Sequence, residues 1–288
     1  MKITIKRASA LLLAACSGIA WASQPMKPEA AIWYQGEGPG SVKSGAGDTF
    51  ASTQWGFELP LEEKSRRAEY FQSRFHFDWT EFDWQGANAA EGEYLWLSMP
   101  IHYRQQRGRK HQFLLHVEPG LMTDAGSIGF DHIGLNGSAI GRILMRNGGY
   151  WQFGAIVDRQ FGDYNARPVL GLGWQAGKRT WIDLGFPETN IQHTLSSTLQ
   201  SYLHVGPAGG VWRHSVEGQS KDVNLSYTNW QAGVGLTFHW RKSLWLNAEI
   251  GQLRNRRVKG YTDAATSVKA TATPGDDRYW KLGAEIRF

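Results

Sequence analysis

Three residues of the kind that together perform acyl transfer recur on neighbouring stretches: Asp78, Ser98 and His116. A serine nucleophile needs a histidine base within hydrogen-bond reach and a carboxylate to orient that base. If the links Gln85–Glu93 and Gln105–Lys110 are symmetric, the three lie at one height on three adjacent strands. The order is wrong for the chemistry, because Ser98 stands between the other two and the histidine should. The set also depends on register, since a slip of one residue turns a side chain to the opposite face. His76, His102 and His116 raise a second possibility, a metal site. Their spacing is not that of a helix or finger ligand set, and they read as ordinary polar filling. The glycines sit in turns and at alternating positions rather than in a phosphate-cradling loop. The reading is of a protein with no catalytic residue, no metal and no cofactor.

The elements that would carry these residues are strands with two unlike faces. In Tyr279–Phe288, Trp280, Leu282, Ala284, Ile286 and Phe288 fall on one side, with Lys281, Gly283, Glu285 and Arg287 on the other. Alternation with period two is the mark of a strand whose two faces meet different surroundings. Asn229–Trp240 repeats it: Trp230, Ala232, Val234, Leu236, Phe238 and Trp240 share a face that begins and ends in tryptophan. That is the form of a lipid-facing strand with an aromatic residue at each interface. Similar runs are Thr49–Leu61, Tyr70–Trp84, Tyr94–Arg104, His111–Met122, Leu135–Met145, Tyr150–Asp158, Pro168–Gln175, Thr180–Phe186, Asn190–Leu195, Leu199–Val211 and Leu244–Leu253. A helical bundle is excluded by the period. A soluble β-sandwich also alternates, but it does not account for the tryptophan-edged stripe and the terminal aromatic together.

The connections alternate in length. Short links fall at Glu62–Arg67, Gln105–Lys110, Arg146–Gly149, Gly177–Arg179, Ser196–Thr198 and Arg241–Lys242. Longer ones fall at Gln85–Glu93, Thr123–Gly134, Arg159–Arg167, Arg213–Asp222 and Arg254–Asp277, with Pro187–Thr189 a short exception among them. A barrel separates periplasmic turns from extracellular loops in this way. Counting back from a periplasmic C-terminus, an ascending strand must precede Thr49–Leu61, and Ala30–Tyr34 is the candidate. The predicted fold class is therefore all-β: a transmembrane, antiparallel, up-and-down barrel of about 12–14 strands.

Met1–Ala22 reads as a secretory signal, with Lys2, Lys6 and Arg7 ahead of the apolar Ala8–Ala20 and a small-x-small site at Ala20-Trp21-Ala22. The alternative is lipidation at Cys16, since Leu13-Ala14-Ala15-Cys16 resembles a lipobox. The domains expected are the signal at 1–22, a segment at 23–48 with a possible first strand and a Gly-rich loop, and the barrel at 49–288. Cys16 is the single cysteine, so cleavage at Ala22 leaves no disulfide or thiolate chemistry. Removing the three cations of the signal from a net +5 leaves a chain near +2, which gives no argument for nucleic acid.

The last strand resembles the C-terminal assembly signal of Gram-negative outer-membrane β-barrels, in Lys281, Gly283, Ile286 and Phe288. Pro168-Val169-Leu170-Gly171-Leu172-Gly173-Trp174 and Trp181-Ile182-Asp183-Leu184-Gly185-Phe186-Pro187 also look like uncharacterised, porin-like families of such barrels. The resemblance implies residence in the bacterial outer membrane. The implied partners are its lipids, lipopolysaccharide and the outer-membrane assembly machinery. Signatures of trimeric general porins and of plugged receptors are not seen, and the oligomeric state is left open.

The polar faces then become the inside of the barrel. Candidate lumen-lining residues are Arg74, His76, Asp78, Ser98, His102, His116, Glu118, Arg142, Asp183 and Glu249. Two readings stand for so mixed a set. One is a hydrated pore whose charges tune selectivity; the other is a filled interior that braces the walls. The functional expectation is a passive pore or small-solute transport protein. The alternatives are a closed structural or adhesive barrel, and third a lipid-modifying hydrolase.

Overall fold

The computed structural model describes residues 30–43, 47–85, 92–124, 129, 132–214, 223–261 and 268–287. The proposed signal, Cys16 and Phe288 lie outside them. Seventeen strands follow in order: β1 Ala30–Glu37, β2 Gly40–Ser41, β3 Thr49–Arg66, β4 Glu69–Gln85, β5 Gly92–Ser98, β6 Ile101–Arg107, β7 His111–Thr123, β8 Ile133–Leu144, β9 Tyr150–Val157, β10 Arg167–Gln175, β11 Thr180–Phe186, β12 Thr189–Thr194, β13 Leu199–His214, β14 Val223–Arg241, β15 Leu244–Tyr261, β16 Val268–Ala272 and β17 Asp277–Ile286. All neighbouring pairs are antiparallel, and β17 returns to β1 with Ala30 opposite Ile286 and Glu37 opposite Tyr279. β5 and β6 act as one stave, both lying between β4 and β7, and β2 and β16 are short additions. The result is a closed antiparallel barrel of 14 staves.

Closure has a physical reason. A strand in hydrocarbon has no water for its N–H and C=O groups, so the sheet can leave no edge. Side chains complete the fit to lipid. Along β14 every second residue from Ala232 to Phe238 is exposed and every residue between is buried. Large apolar side chains project outward all round, among them Ile32, Trp55, Leu97, Phe113, Trp151, Leu170, Leu184, Leu203, Trp240 and Leu282. An apolar belt on a closed barrel is the surface of an outer-membrane protein, and the chain is one.

The connections divide as the alternation requires. Arg67–Ala68, Gly108–Lys110, Met145–Gly149 and Lys242–Ser243 turn the chain at the end near Ile286, and the longer links lie at the other end. Four details differ from the sequence reading. The charged stretch Glu62–Arg67 is not a turn, because β3 continues to Arg66 after a bulge between Pro60 and Glu62. Tyr94–Arg104 breaks at Met99-Pro100, since proline has no N–H to give the ladder. The carbonyl of Pro100 is still used, accepting from the Arg74 N–H at 2.9 Å. Arg254–Asp277 is in large part strand: β15 runs on to Tyr261 and β16 pairs with it. β13 and β14 likewise extend to His214 and back to Val223, beyond the greasy part of their pattern.

Val234 lies midway along the Trp230–Trp240 stripe and is 54% exposed. Val234→Arg is expected to lower the unfolding free energy of vesicle-folded protein in urea by about 2–4 kcal/mol. A change within about 0.5 kcal/mol, the usual range for a water-facing position, would contradict a lipid-facing Val234.

Candidate functional site

The inward face of β4 carries Arg74, His76 and Asp78 in succession, two residues apart, so one strand delivers a column of charge into the barrel. Arg74 is 1% exposed and its guanidinium meets Glu58 of β3 at 2.5 Å. His76 lies between two carboxylates, 3.7 Å from Glu58 and 2.8 Å from Asp78. On the next staves Glu118 accepts from Ser98 Oγ at 2.6 Å, from Trp96 Nε1 at 3.1 Å and from Asn136 Nδ2 at 3.0 Å, with His116 at 3.5 Å. His116 in turn faces His102, its cross-strand partner, with their Nδ1 atoms 3.1 Å apart.

Arg159 joins these two groups. It opens a single 3-10 turn, Arg159–Phe161, in the link between β9 and β10. Asp158 caps that turn by accepting from the Gln160 N–H at 2.8 Å. Burial raises the Asp158 carboxyl above its ordinary range, and the Gln160 N–H and the Arg159 charge act the other way. Gly162 ends the turn at φ 78°, a left-handed conformation that glycine adopts without steric cost. The turn is folded inward, and Arg159 is 4% exposed. Its backbone N–H donates to Asn136 Oδ1 at 3.0 Å and its guanidinium lies 3.3 Å from Asp78. The same guanidinium sits over Trp96 at 4.6 Å and over Trp212 of β13 at 5.3 Å. Gly210 leaves the room it needs: a Cβ there would collide with Arg159 Nη1.

Trp96 and Trp212 belong to opposite walls. Around the barrel, β5 and β13 are seven staves apart, half the circumference. They nevertheless meet through an aromatic layer near the long-loop end. Trp212 lies 5.6 Å from Tyr94 and 5.5 Å, edge on, from Phe82. Phe82 continues to Phe50 at 5.4 Å and to Tyr227 of β14 at 5.5 Å. Trp96 and Trp212 are 1% and 2% exposed, so at this level the lumen is filled by side chains. A barrel of this size has the width for a channel, and here rings and one guanidinium occupy it.

A polar cavity of about 290 Å³ lies against this layer. Its wall comes from both sides of the barrel: Gln35, Gln54, His76 and Asp78 on one, His204 and Gln231 on the other, with Arg159 at the closed end. That is just under the ~300 Å³ at which small-ligand pockets usually begin.

Other predicted residues form separate braces. Asp183 accepts from the Tyr150 hydroxyl at 2.5 Å, and Arg142 lies over the Tyr150 ring at 4.1 Å. Glu249 accepts from the Tyr279 hydroxyl. Lys281, Gly283 and Ile286 are in β17, the Lys281 ammonium being 6.0 Å from the Trp33 ring. The triad geometry is not formed. His76, not Asp78, pairs with Ser98, and Gly120, not His116, is opposite Ser98 on the other side. The register runs unchanged through the break at Pro100 on both sides, so the cause is that the ladders are not centred on the two links as symmetry assumed, and Ser98 is held by Glu118. Among the described residues no group of three or more histidines, cysteines and carboxylates could hold a metal ion.

Two central residues were missed from the sequence. The sequence pattern puts Arg159 in a loop and Arg256 in the long polar link. Arg256 is fully buried, donating to Glu37 at 3.1 Å, to the Tyr227 hydroxyl at 3.0 Å and to the carbonyl of Phe50 at 3.3 Å. Tyr227 also donates to Glu37 at 2.5 Å. Arg256 thus ties three staves and the β16–β17 link, whose Gly275 carbonyl it also reaches at 3.3 Å. No simple signal points to it: the inward parity of Glu249, Gly251 and Leu253 changes at the irregularity around Asn255, so that exposed Arg254 precedes buried Arg256 and Val258, and four cations in six residues hide the change.

Arg256→Ala would leave the buried Glu37 without its cation, and is expected to cost about 3–5 kcal/mol in urea unfolding. The double change Glu37→Gln with Arg256→Met should cost less than Arg256→Ala alone. A single-variant cost below about 1 kcal/mol, the range of an exposed pair, would contradict the buried pairing.

The chain matches, over residues 37–276, the family described as Domain of unknown function (DUF6268), and it belongs to that family. Comparison with curated proteins gives no match. Among solved structures, the COG4313 outer membrane channel from Pseudomonas putida F1 is similar at 10% identity and TM-score 0.48, covering 93% of this chain and 98% of that one. LpxR from Salmonella typhimurium gives 9% identity and TM-score 0.39 over 90% of this chain and 99% of that one. The TodX monoaromatic hydrocarbon channel deltaS2 mutant gives 10% identity and TM-score 0.40 over 90% and 89%.

Proposed function

We propose that this barrel is a small-solute channel held shut by the layer that joins Arg159, Trp96, Trp212 and Phe82. The observation that carries the reading is the polar cavity beneath a barrier made of side chains and one short turn. Such a barrier can open by rotamer changes and a shift of the Arg159–Phe161 turn, with the hydrogen-bonded wall unaltered. The mixed charge of the wall suits small hydrophilic solutes over a single ion sign. The reading is of transport and not of catalysis, because Ser98, His116 and Asp78 each bond to other partners. The tight aromatic layer also favours a second reading, a permanently closed structural or adhesive barrel. Assembly through the final strand, by way of Lys281, Gly283, Ile286 and Phe288, is part of the same proposal.

Planar-bilayer recording separates the readings. The wild type should give rare, small conductance steps. Arg159→Ala combined with Trp212→Ala should raise their frequency or size by roughly tenfold or more, as expected when about 1.4 kcal/mol or more of closed-state contact is lost. Silence of both proteins, with each shown to be a folded, heat-modifiable barrel, would overturn the channel and favour the closed scaffold.

A further inference from the structure

Five of the six turns at the end near Ile286 are alike in lacking any carboxylate. Residues 105–111, 144–150, 175–180, 195–199 and 240–244 hold eight lysines and arginines and no aspartate or glutamate. All eight are exposed, and among the described residues none of them forms an ion pair. The sixth turn is balanced: Lys64, Arg66 and Arg67 stand against Glu62, Glu63 and Glu69. The longer links of the opposite end mix the signs, as in Arg167 with Asp163 at 2.9 Å and Arg254 with Asp276 at 2.7 Å. A rim of one sign therefore runs along one end of the barrel, from the β6–β7 turn round to the β14–β15 turn.

The position of the rim selects its partner. Cations that point into the lumen at this end are already engaged. Arg287 pairs with Glu285, Arg104 lies over the Tyr70 ring at 5.0 Å, and Arg142 donates to Gln152 Oε1 at 3.1 Å. The cations without a counter-ion are on the turns, beside the lipid face. There Phe113, Trp151 and Trp240 are exposed aromatic rings, and Trp174 shares the face of Leu170. Trp240 is next in sequence to Arg241, and Trp174 is four residues from Lys178. An aromatic belt marks the boundary of the hydrocarbon, so cations just beyond it lie at the depth of lipid headgroups. Their long apolar stems let the charge settle at the phosphate level. A solute entering the lumen meets the engaged cations; a leaflet wrapped round the barrel meets the others.

We propose that this rim is a docking surface for anionic phospholipid headgroups of the periplasmic leaflet, gathered around the wall from β6 to β15. Phosphodiester oxygens accept from guanidinium and ammonium donors. A headgroup with no ammonium of its own keeps its whole negative charge for the rim, and a zwitterionic one does not. Such selection needs no conduction, so it stands apart from the channel reading.

Electron paramagnetic resonance of spin-labelled phosphatidylglycerol and spin-labelled phosphatidylcholine, with the full chain folded in phosphatidylcholine vesicles, tests it. Wild type should hold phosphatidylglycerol at its surface roughly fivefold in preference at low salt, the effect of about one lysine or arginine at a lipid surface. Salt at about 1 M should erase the preference, because the screening length there is about 3 Å. Arg109→Gln, Lys110→Gln, Lys178→Gln and Arg179→Gln together remove half of the eight charges, and should lower the preference to about twofold or less. Heat-modifiability reports that each variant is a folded barrel. Equal retention of the two lipids by folded wild type overturns the proposal, as does an unchanged preference in the fourfold variant. An equal loss from Arg254→Gln with Arg257→Gln, at the long-loop end, overturns the assignment to this rim. Retention on purified peptidoglycan that the fourfold variant loses, with no lipid preference in wild type, would give the rim to the cell-wall polymer instead.

Discussion

The ring of backbone hydrogen bonds closed between β1 and β17 is the constraint on which the structure depends. Hydrocarbon offers no substitute partner for a free strand edge, so the first described residues must find the last ones. Ala30 to Glu37 pair with Ile286 to Tyr279 without a break, and β1 pairs on its other side with β3. Once the ring is shut, every side chain is assigned to oil or to the interior by its parity. The tryptophan-edged stripe of β14 and the charged column of β4 follow from the same rule.

Inside the ring the problem is reversed, because a barrel of 14 staves has more space than its wall residues fill unaided. The interior is organised in levels. Near the short turns, Tyr150 with Asp183 and Arg142 braces the wall locally. In the middle a polar cavity remains. Toward the long loops, Phe82, Tyr94, Trp96 and Trp212 meet across the diameter, and Arg159 is inserted among them. The buried cations survive because each has partners. Arg256 has Glu37 and Tyr227, Arg159 has Asp78 and two indole faces, and Arg74 has Glu58. Removing one member of such a set is costly, which makes these residues structural fasteners.

Much of this was legible in the chain. Period-two alternation located 13 of the 14 staves, and the parity of the count supplied the last, Ala30–Tyr34. The sequence failed where alternation loses its contrast. In Arg254–Lys259 cations stand on both faces, so strand and loop look alike although Arg256 points inward. Glu62–Arg66 is charged on both faces because β3 and β4 project beyond the lipid there, and water wets both sides. The level at which residues meet was also hidden. Ser98 falls opposite His76 because the β4–β5 ladder is not centred on the link between them, and no local pattern announces such an offset. The cross-lumen contacts of Trp212 lie further still from the sequence, since they depend on strands half a circumference apart.

The central claim is that one face of each stave meets lipid and the other a partly filled, polar interior. It is tested most directly by placing nitroxide labels one at a time along residues 229–240 of β14, in vesicle-folded protein. Collision with oxygen, which concentrates in hydrocarbon, should rise at 232, 234, 236 and 238 and fall at 231, 233, 235 and 237. Oxygen collision that fails to alternate, or that peaks at the second set, would contradict the account.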